Sequence, residues 1–250
     1  MSEPLRIFIG YDSREPVAYH VLCHSILSRS TIPVAITPLK REHLSRVYTR
    51  QQGPTESTEF SLTRFLVPYL CDFKGSAIFM DCDMLCLCDV AELFAYLVAN
   101  PSKAVQVVQH SYIPKDDTKF LGQQQTVYPR KNWSSMMLFN NALCTRLRPD
   151  YVNTAQGLEL HRFYWLRDQQ LYATGKRNVP GDTDELNYIG ALPLEYNWLV
   201  GEYSANTNAR ILHYTNGGPW FVEDYGSVDH AEDWLKEFGL TMSAASMVAA

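Results

Sequence analysis

The segment Ala77-Ile78-Phe79-Met80-Asp81-Cys82-Asp83 is an apolar run that gives way to two carboxylates at alternate positions. On an extended backbone, residues i and i+2 face the same side, roughly 6–7 Å apart, so both can address one divalent cation. Hard cations such as Mn²⁺ or Mg²⁺ favour oxygen ligands and are often shared with substrate phosphates. Taken alone, the pair serves equally well as a solvated turn after a core strand, with Asp89 as a helix-entry acid. A second segment, His213-Tyr214-Thr215-Asn216-Gly217-Gly218-Pro219-Trp220, also follows an apolar stretch. A histidine at a strand end can complete a metal shell as neutral imidazole. Gly217 and Gly218 can bring backbone N–H groups close to an anion, and Trp220 can wall a pocket. The plainer alternative is a buried, hydrogen-bonded histidine before an ordinary Gly-Pro turn.

Arg64 lies inside the otherwise apolar Phe60-Ser61-Leu62-Thr63-Arg64-Phe65-Leu66. It is either a surface charge whose stem covers the core or a guanidinium placed to hold a diphosphate or sugar hydroxyls. Tyr11 and Asp12 stand just past the first strand-like run. There an aromatic face can stack on a base and a carboxylate can accept from its edge, or the two simply make a turn.

The elements that must position these groups follow from hydrophobic patterning. Strands are expected at Leu5–Tyr11, Pro33–Leu39, Ser76–Met80, Ala104–Val108, Met136–Phe139 and Ile211–Tyr214. Helical spacing appears at Glu15–Ser28, Phe60–Leu70, Val90–Val98 and Asp229–Phe238, with Pro68 weakening the end of the second. Alternating strands and helices predict an α/β fold with a mostly parallel central sheet. Ligands then bind beyond the carboxyl ends of its strands. Gly175–Asp184 reads as an exposed loop and Thr241–Ala250 as a frayed tail.

The bulk properties narrow the class. Hydrophobic residues make up 46% of the chain and charged residues 20%, so a globular core is expected and disorder is confined to the ends. Twenty-two Lys+Arg against 27 Asp+Glu leave a net charge of −5, with no basic run, which argues against a nucleic-acid partner. No apolar stretch reaches the ~18 residues that span a bilayer. Met1–Ile9 lacks a basic-then-apolar leader, so no signal peptide is expected. Cysteines 23, 71, 82, 86, 88 and 144 sit among apolar residues, as reduced core thiols in a cytosolic protein do. Zinc binding by Cys82, Cys86 and Cys88 would lack a paired Cys-x-x-Cys half-site.

In combination and in order, these segments resemble glycosyltransferase family 8 and its bacterial relatives, the group that includes glycogenin and lipopolysaccharide sugar transferases. The match runs through Ile9-Gly10-Tyr11-Asp12, Thr63-Arg64-Phe65-Leu66, Phe79-Met80-Asp81-Cys82-Asp83 and His213 to Trp220. The last interval is one residue shorter than the family's His-x-x-Gly-x-x-Lys-Pro-Trp, and the Lys is missing. That leaves the Gly217–Gly218 backbone, Arg64 or Lys119 to take its place. Trp133-Ser134-Ser135 aligns with the Asn-(Ala/Ser)-Gly segment. Asp182-Thr183-Asp184-Glu185-Leu186-Asn187 answers the later Asp-Gln-Asp-x-Leu-Asn, with Asp168-Gln169 as a competing match.

The resemblance implies one GT-A domain over residues 1–240, with 241–250 a flexible tail. It implies a metal-dependent hexosyltransferase using Mn²⁺ or Mg²⁺ and a nucleotide-diphosphate sugar, a UDP-sugar being the expected donor. Asp81, Asp83 and His213 would hold the metal. Tyr11, Asp12, Arg64, Asp81, Gly217, Gly218 and Trp220 would hold the donor, and Asp184, Asp168 and Arg64 would stand at the reaction centre. Transfer with retention to a carbohydrate or glycolipid acceptor is expected, in surface-glycan synthesis, in the cytoplasm and with peripheral contact at the inner membrane face. Two rivals stand beside it. A sugar-nucleotide nucleotidyltransferase usually opens with a Gly-rich basic loop, whereas Gly10-Tyr11-Asp12-Ser13-Arg14-Glu15 has a single Gly and a single Arg. In a non-catalytic carbohydrate- or partner-binding protein, Tyr196, Trp198, Tyr203, Tyr214 and Trp220 would serve sugar stacking equally well.

Overall fold

The apolar runs nearest the N-terminus pair side by side in one sheet. In the computed structural model, which describes residues 3–53, 56–115, 129–167, 184–222 and 225–243, β1 (Leu5–Gly10) lies between β2 (Val34–Leu39) and β3 (Ser76–Met80), parallel to both. Ile7, Ile9, Ile78 and Phe79 are fully buried. Both faces of β3 are therefore covered, which is why Ala77–Met80 reads as an unbroken apolar run instead of an alternating one. Further on come β5 (Val105–Val108), β6 (Met136–Asn140) and β7 (Ile189–Leu192). The order is β2-β1-β3-β6-β5-β7, and β6 alone runs against its neighbours. The result is a mostly parallel α/β sheet, as patterning predicts.

A second, three-stranded sheet is built from β4 (Met84–Cys86), β8 (Trp198–Leu199) and β9 (Ile211–His213), in the order β4-β9-β8. The chain passes from β3 to β4 through Asp81, Cys82 and Asp83, so the acidic pair stands at the joint between the sheets. β9 pairs antiparallel with β4 and sets His213 opposite Met84. One short turn and one strand pairing thus bring residues 130 positions apart into the same place.

Helix α1 (Pro16–Arg29) starts on a proline, whose missing N–H costs nothing at a helix start. It buries Ala18, Val21, Leu22 and Ile26. Val21, Leu85, Leu212, Tyr214 and Trp234 form a separate apolar cluster that joins α1, the small sheet and the C-terminal helix α6 (Ala231–Ser243). Between them stand α2 (Val67–Leu70), α3 (Ala91–Ala99), α4 (Pro149–Thr154) and α5 (Gly157–His161). Buried Glu237 of α6 accepts hydrogen bonds from His24 Nδ1 at 2.5 Å and Arg29 Nη2 at 2.7 Å on α1, which fixes the two helices together.

Several expectations need correction. Phe60–Leu70 is not one helix: a 3₁₀ turn at Thr63–Leu66 gives way to α2. In a continuous α-helix Pro68 would have to donate to the Arg64 carbonyl, and it has no N–H to do so. The C-terminal helix carries order to Ser243, past the Thr241 start expected for the tail. Strands β4, β7 and β8 had no counterpart in the patterning. The expected loop at Gly175–Asp184 falls outside the described residues up to Asp184, which opens a 3₁₀ turn ending at Tyr188. All six cysteines are free, and Cys86 donates its thiol hydrogen to the Cys88 carbonyl at 3.2 Å. Among the described residues no helix is long and apolar enough to cross a membrane.

Candidate functional site

Asp81, Asp83 and His213 converge. One ligand atom from each lies within 4.8 Å of the others, and all three residues are buried. The backbone holds the acidic turn from both sides: Asp81 N–H donates to the Ser135 carbonyl and Tyr214 N–H to the Asp83 carbonyl, both at 2.9 Å. The solvated-turn alternative does not survive, because each carboxylate residue is only 9% exposed.

The imidazole is oriented by a chain of hydrogen bonds. Ser135 Oγ donates to the Asn132 carbonyl at 2.7 Å, and Asn197 Nδ2 donates to Ser135 Oγ at 2.8 Å. Asn197 Oδ1 is thereby left to accept from His213 Nδ1, 3.0 Å away. With its proton on Nδ1, the ring presents the Nε2 lone pair to Asp83 Oδ1 at 3.4 Å. Two acceptors that face each other at that distance repel unless a cation lies between them. Two carboxylates and one imidazole are a donor set that can hold a divalent cation, and the Asn197 partner is the kind that fixes a ligating histidine.

Arg64 is a buried partner of this group, not a surface charge. It is 5% exposed, and its Nη1 lies 2.8 Å from Asp81 Oδ1 and 2.9 Å from the Ser134 carbonyl. The guanidinium is flanked by the rings of Phe60 and Phe79, with centroids 5.3 and 4.9 Å away. Through Nη1 it forms a charge-assisted pair with Asp81 at the back of the cluster.

At the end of β1, Asp12 is fully buried and its carboxylate is already well supplied. Oδ1 accepts from Arg14 N and Nε, and Oδ2 accepts from Arg14 Nη2 and Glu59 N. Burial alone would raise this carboxyl's pKa, but the bonds from Arg14 and Glu59 hold it below the usual range. Neighbouring Tyr11 is half-buried, with Tyr19 against its edge and Lys40 Nζ 5.6 Å from its ring centre.

In the late loop, Gly217 has φ +104° and spends its N–H on the Tyr214 carbonyl at 2.8 Å. At Gly218 any Cβ would sit 2.0 Å from the Trp220 ring, so only glycine lets the indole lie flat against this backbone. Asp168 and Lys119 fall outside the described residues.

Glu15, which the motifs did not single out, ties these parts together. It is 2% exposed, takes the Cys82 thiol on Oε1 at 3.4 Å and the Trp220 indole N–H on Oε2 at 3.2 Å. Burial first, and the negative charge of Asp83 second, push its pKa up to about 8. As an acid just before a proline-led helix it resembles any helix-start residue. Only its convergence on Cys82 and Trp220 shows otherwise. Asn197 carries no spacing signal at all.

No protein-family model matches the chain. Protein CDI of Arabidopsis thaliana is 44% identical over 244 residues, covering 94% of this chain and 86% of that protein. Among solved structures, the apo structure of the bifunctional glycosyltransferase WbbM matches with a TM-score of 0.59 at 15% identity. The match covers 99% of this chain and 51% of that one, so this chain spans about half of WbbM's length. The galactosyltransferase LgtC, in complex with donor and acceptor sugar analogs, matches at 0.50 and 11% identity over 94% of this chain and 96% of its own. At such identities the likeness shows the fold alone, a GT-A-like α/β architecture.

Proposed function

The chain belongs to the family of protein CDI of Arabidopsis thaliana; since that name states no chemistry, we read the function from the site, and we propose that the chain is a metal-dependent glycosyltransferase. The observation that carries this reading is the convergence of Asp81, Asp83 and His213 on one point of a GT-A-like fold. The donor is a nucleotide-diphosphate hexose, a UDP-sugar by the resemblance to family 8, and the acceptor is a hydroxyl of a carbohydrate or glycolipid.

A divalent ion bound by this triad supplies charge neutralisation to the diphosphate leaving group. The chain's own groups prepare the place. Arg64 pairs with Asp81 beside the cluster, Asn197 keeps the His213 proton on Nδ1, and the Gly218 amide with the Trp220 wall faces the anion. Tyr11 stacks on the base, while Asp12 orders the loop that carries Tyr11. In the transfer, the bond from the sugar C1 to the phosphate oxygen breaks and its electron pair leaves with the diphosphate. A bond from C1 to the acceptor oxygen forms, and the acceptor's proton passes to the departing phosphate oxygen. Retention at C1 follows from attack on the leaving-group face, with Asp184 or Asp168 orienting sugar or acceptor. The setting is surface-glycan synthesis on the cytoplasmic side, with peripheral contact at the inner membrane face.

The test is a panel of UDP-, GDP- and ADP-hexoses scored for thermal stabilisation and nucleoside diphosphate release, with Mn²⁺ and with EDTA. Metal-dependent stabilisation and diphosphate release by at least one donor are expected. Release of pyrophosphate from a nucleoside triphosphate and a sugar phosphate instead would identify a nucleotidyltransferase. Metal-independent carbohydrate binding without turnover would identify a binding protein.

A further inference from the structure

A group of side chains that the donor side leaves unused gathers next to His213. His110, just past β5, is 6% exposed. Its Nδ1 lies 3.0 Å from the Tyr203 hydroxyl, and its Nε2 is buried with no hydrogen-bond partner among the described residues. The ring forms a triangle with two tyrosines, with centroids 6.3 Å from Tyr112 and 5.9 Å from Tyr203; those two rings stand edge-on at 5.9 Å. Trp198 of β8 meets Tyr203 edge-on at 5.1 Å. Asn132 Nδ2 donates to the Tyr112 hydroxyl at 2.8 Å and reaches Thr215 Oγ1 at 3.3 Å.

This cluster borders the metal group. Thr215 follows His213 by two residues, Trp198 adjoins Asn197, and β8 pairs with β9 so that Leu199 faces His213. Burial lowers the His110 pKa to about 3, so the ring is neutral at ordinary pH. His110 Nε2 is one of several buried side-chain atoms without a hydrogen-bond partner among the described residues, and the one set among these rings and polar groups, where a ligand hydroxyl would complete it. The aromatic faces beside it are half-buried rather than sealed: Tyr112, Trp198 and Tyr203 all remain partly exposed. Ring faces with a few converging polar atoms are the usual lining of a small-molecule site. A pyranose matches this lining, with an apolar C–H face for the tyrosines and a rim of hydroxyls for the polar atoms.

Resting on the glycosyl-transfer reading, we propose that His110, Tyr112 and Tyr203 form the acceptor subsite and that the acceptor presents a pyranoside ring there, with a sugar hydroxyl hydrogen-bonded to His110 Nε2. Trp198 backs Tyr203, and Asn132 holds Tyr112 in place.

The experiment uses saturation-transfer NMR on the whole chain with Mg²⁺ and UDP, and with methyl β-D-glucopyranoside and methyl β-D-galactopyranoside as probes. At least one probe should give ring-proton signals with the wild type. These should fall at least fivefold in Tyr203→Ala and in His110→Phe, the second of which keeps a ring but removes both nitrogens. UDP signals in the same tubes report the donor side separately, so their absence from the wild type would undo the donor reading while the pyranoside result still stands. If Tyr203→Ala does not fold, His110→Phe decides alone. No signal from either pyranoside, or signals unchanged in the folded variants, overturns the acceptor assignment.

Discussion

Asn197→Leu removes a buried amide of nearly the same volume and leaves every proposed metal ligand in place. Its consequence follows from the proton on His213. In the wild type Asn197 Oδ1 accepts from Nδ1, and the Nε2 lone pair faces Asp83 Oδ1 at 3.4 Å. Leucine cannot accept, so the ring gains by moving its proton to Nε2, where it can donate to Asp83. That proton occupies the direction a cation needs. Loss of such a partner typically costs 10–100-fold in metal affinity, which corresponds to about 1.4–2.7 kcal/mol. Titration of Mn²⁺ by electron paramagnetic resonance gives the affinity directly, and circular dichroism confirms that the variant is folded. Asn197→Asp, which still accepts from Nδ1, should retain more of the affinity than Asn197→Leu. A folded Asn197→Leu protein that binds Mn²⁺ within twofold of the wild type would refute the tautomer argument.

Asp83→Asn should lower turnover by at least ~100-fold at saturating donor, because one charged ligand at the diphosphate is lost; turnover near wild type in Mn²⁺ counts against the assignment. Arg64→Ala strands the buried Asp81 carboxylate without its guanidinium and should cost about 3–5 kcal/mol, or a Tm fall of roughly 10 °C for a chain of this size, read by thermal melting in EDTA. A shift under about 2 °C would show that the pair is not what holds Asp81. For Glu237, burial acts to raise the pKa, but the bonds from Arg29 and His24 prevail and hold it below its ordinary 4.5. A depressed carboxyl stabilises the fold above the unfolded pKa and loses that contribution as pH falls through the folded one. Glu237→Gln should therefore be less stable at pH 7, by about 2 kcal/mol, yet show a flatter decline below about pH 4.5 in urea melts.

The part of this fold that could be read from residues is the part where one force dominates. β1, β3 and β6 are buried on both faces, so their sequences are apolar apart from Arg6, Ser76 and Asn140, and their ends fall within a residue or two of expectation. Asp81, Asp83 and His213 were legible because they stand at the carboxyl ends of such runs, which form strands interior to their sheets. Strands β4 and β8 span three and two residues, too short for any period to show. Phe60–Leu70 kept helical spacing in its side chains while Pro68 broke the backbone ladder beneath them. Glu15, Asn197 and His110 have in common that their roles exist only across elements. Glu15 meets Cys82 and Trp220, Asn197 meets Ser135 and His213, and His110 meets Tyr203, over separations no local pattern encodes. Asp12 looked free to meet a base edge; the guanidinium that satisfies it lies two residues on, where a charge on a turn ordinarily faces water.

Crystals soaked in MnCl₂ with UDP and measured near the manganese absorption edge test the central claim most directly. An anomalous peak should appear within coordination reach, about 2.0–2.3 Å, of an Asp81 oxygen, an Asp83 oxygen and His213 Nε2, with His213 Nδ1 still on Asn197. A bound nucleotide with no peak there, or a peak held by other residues, would contradict it.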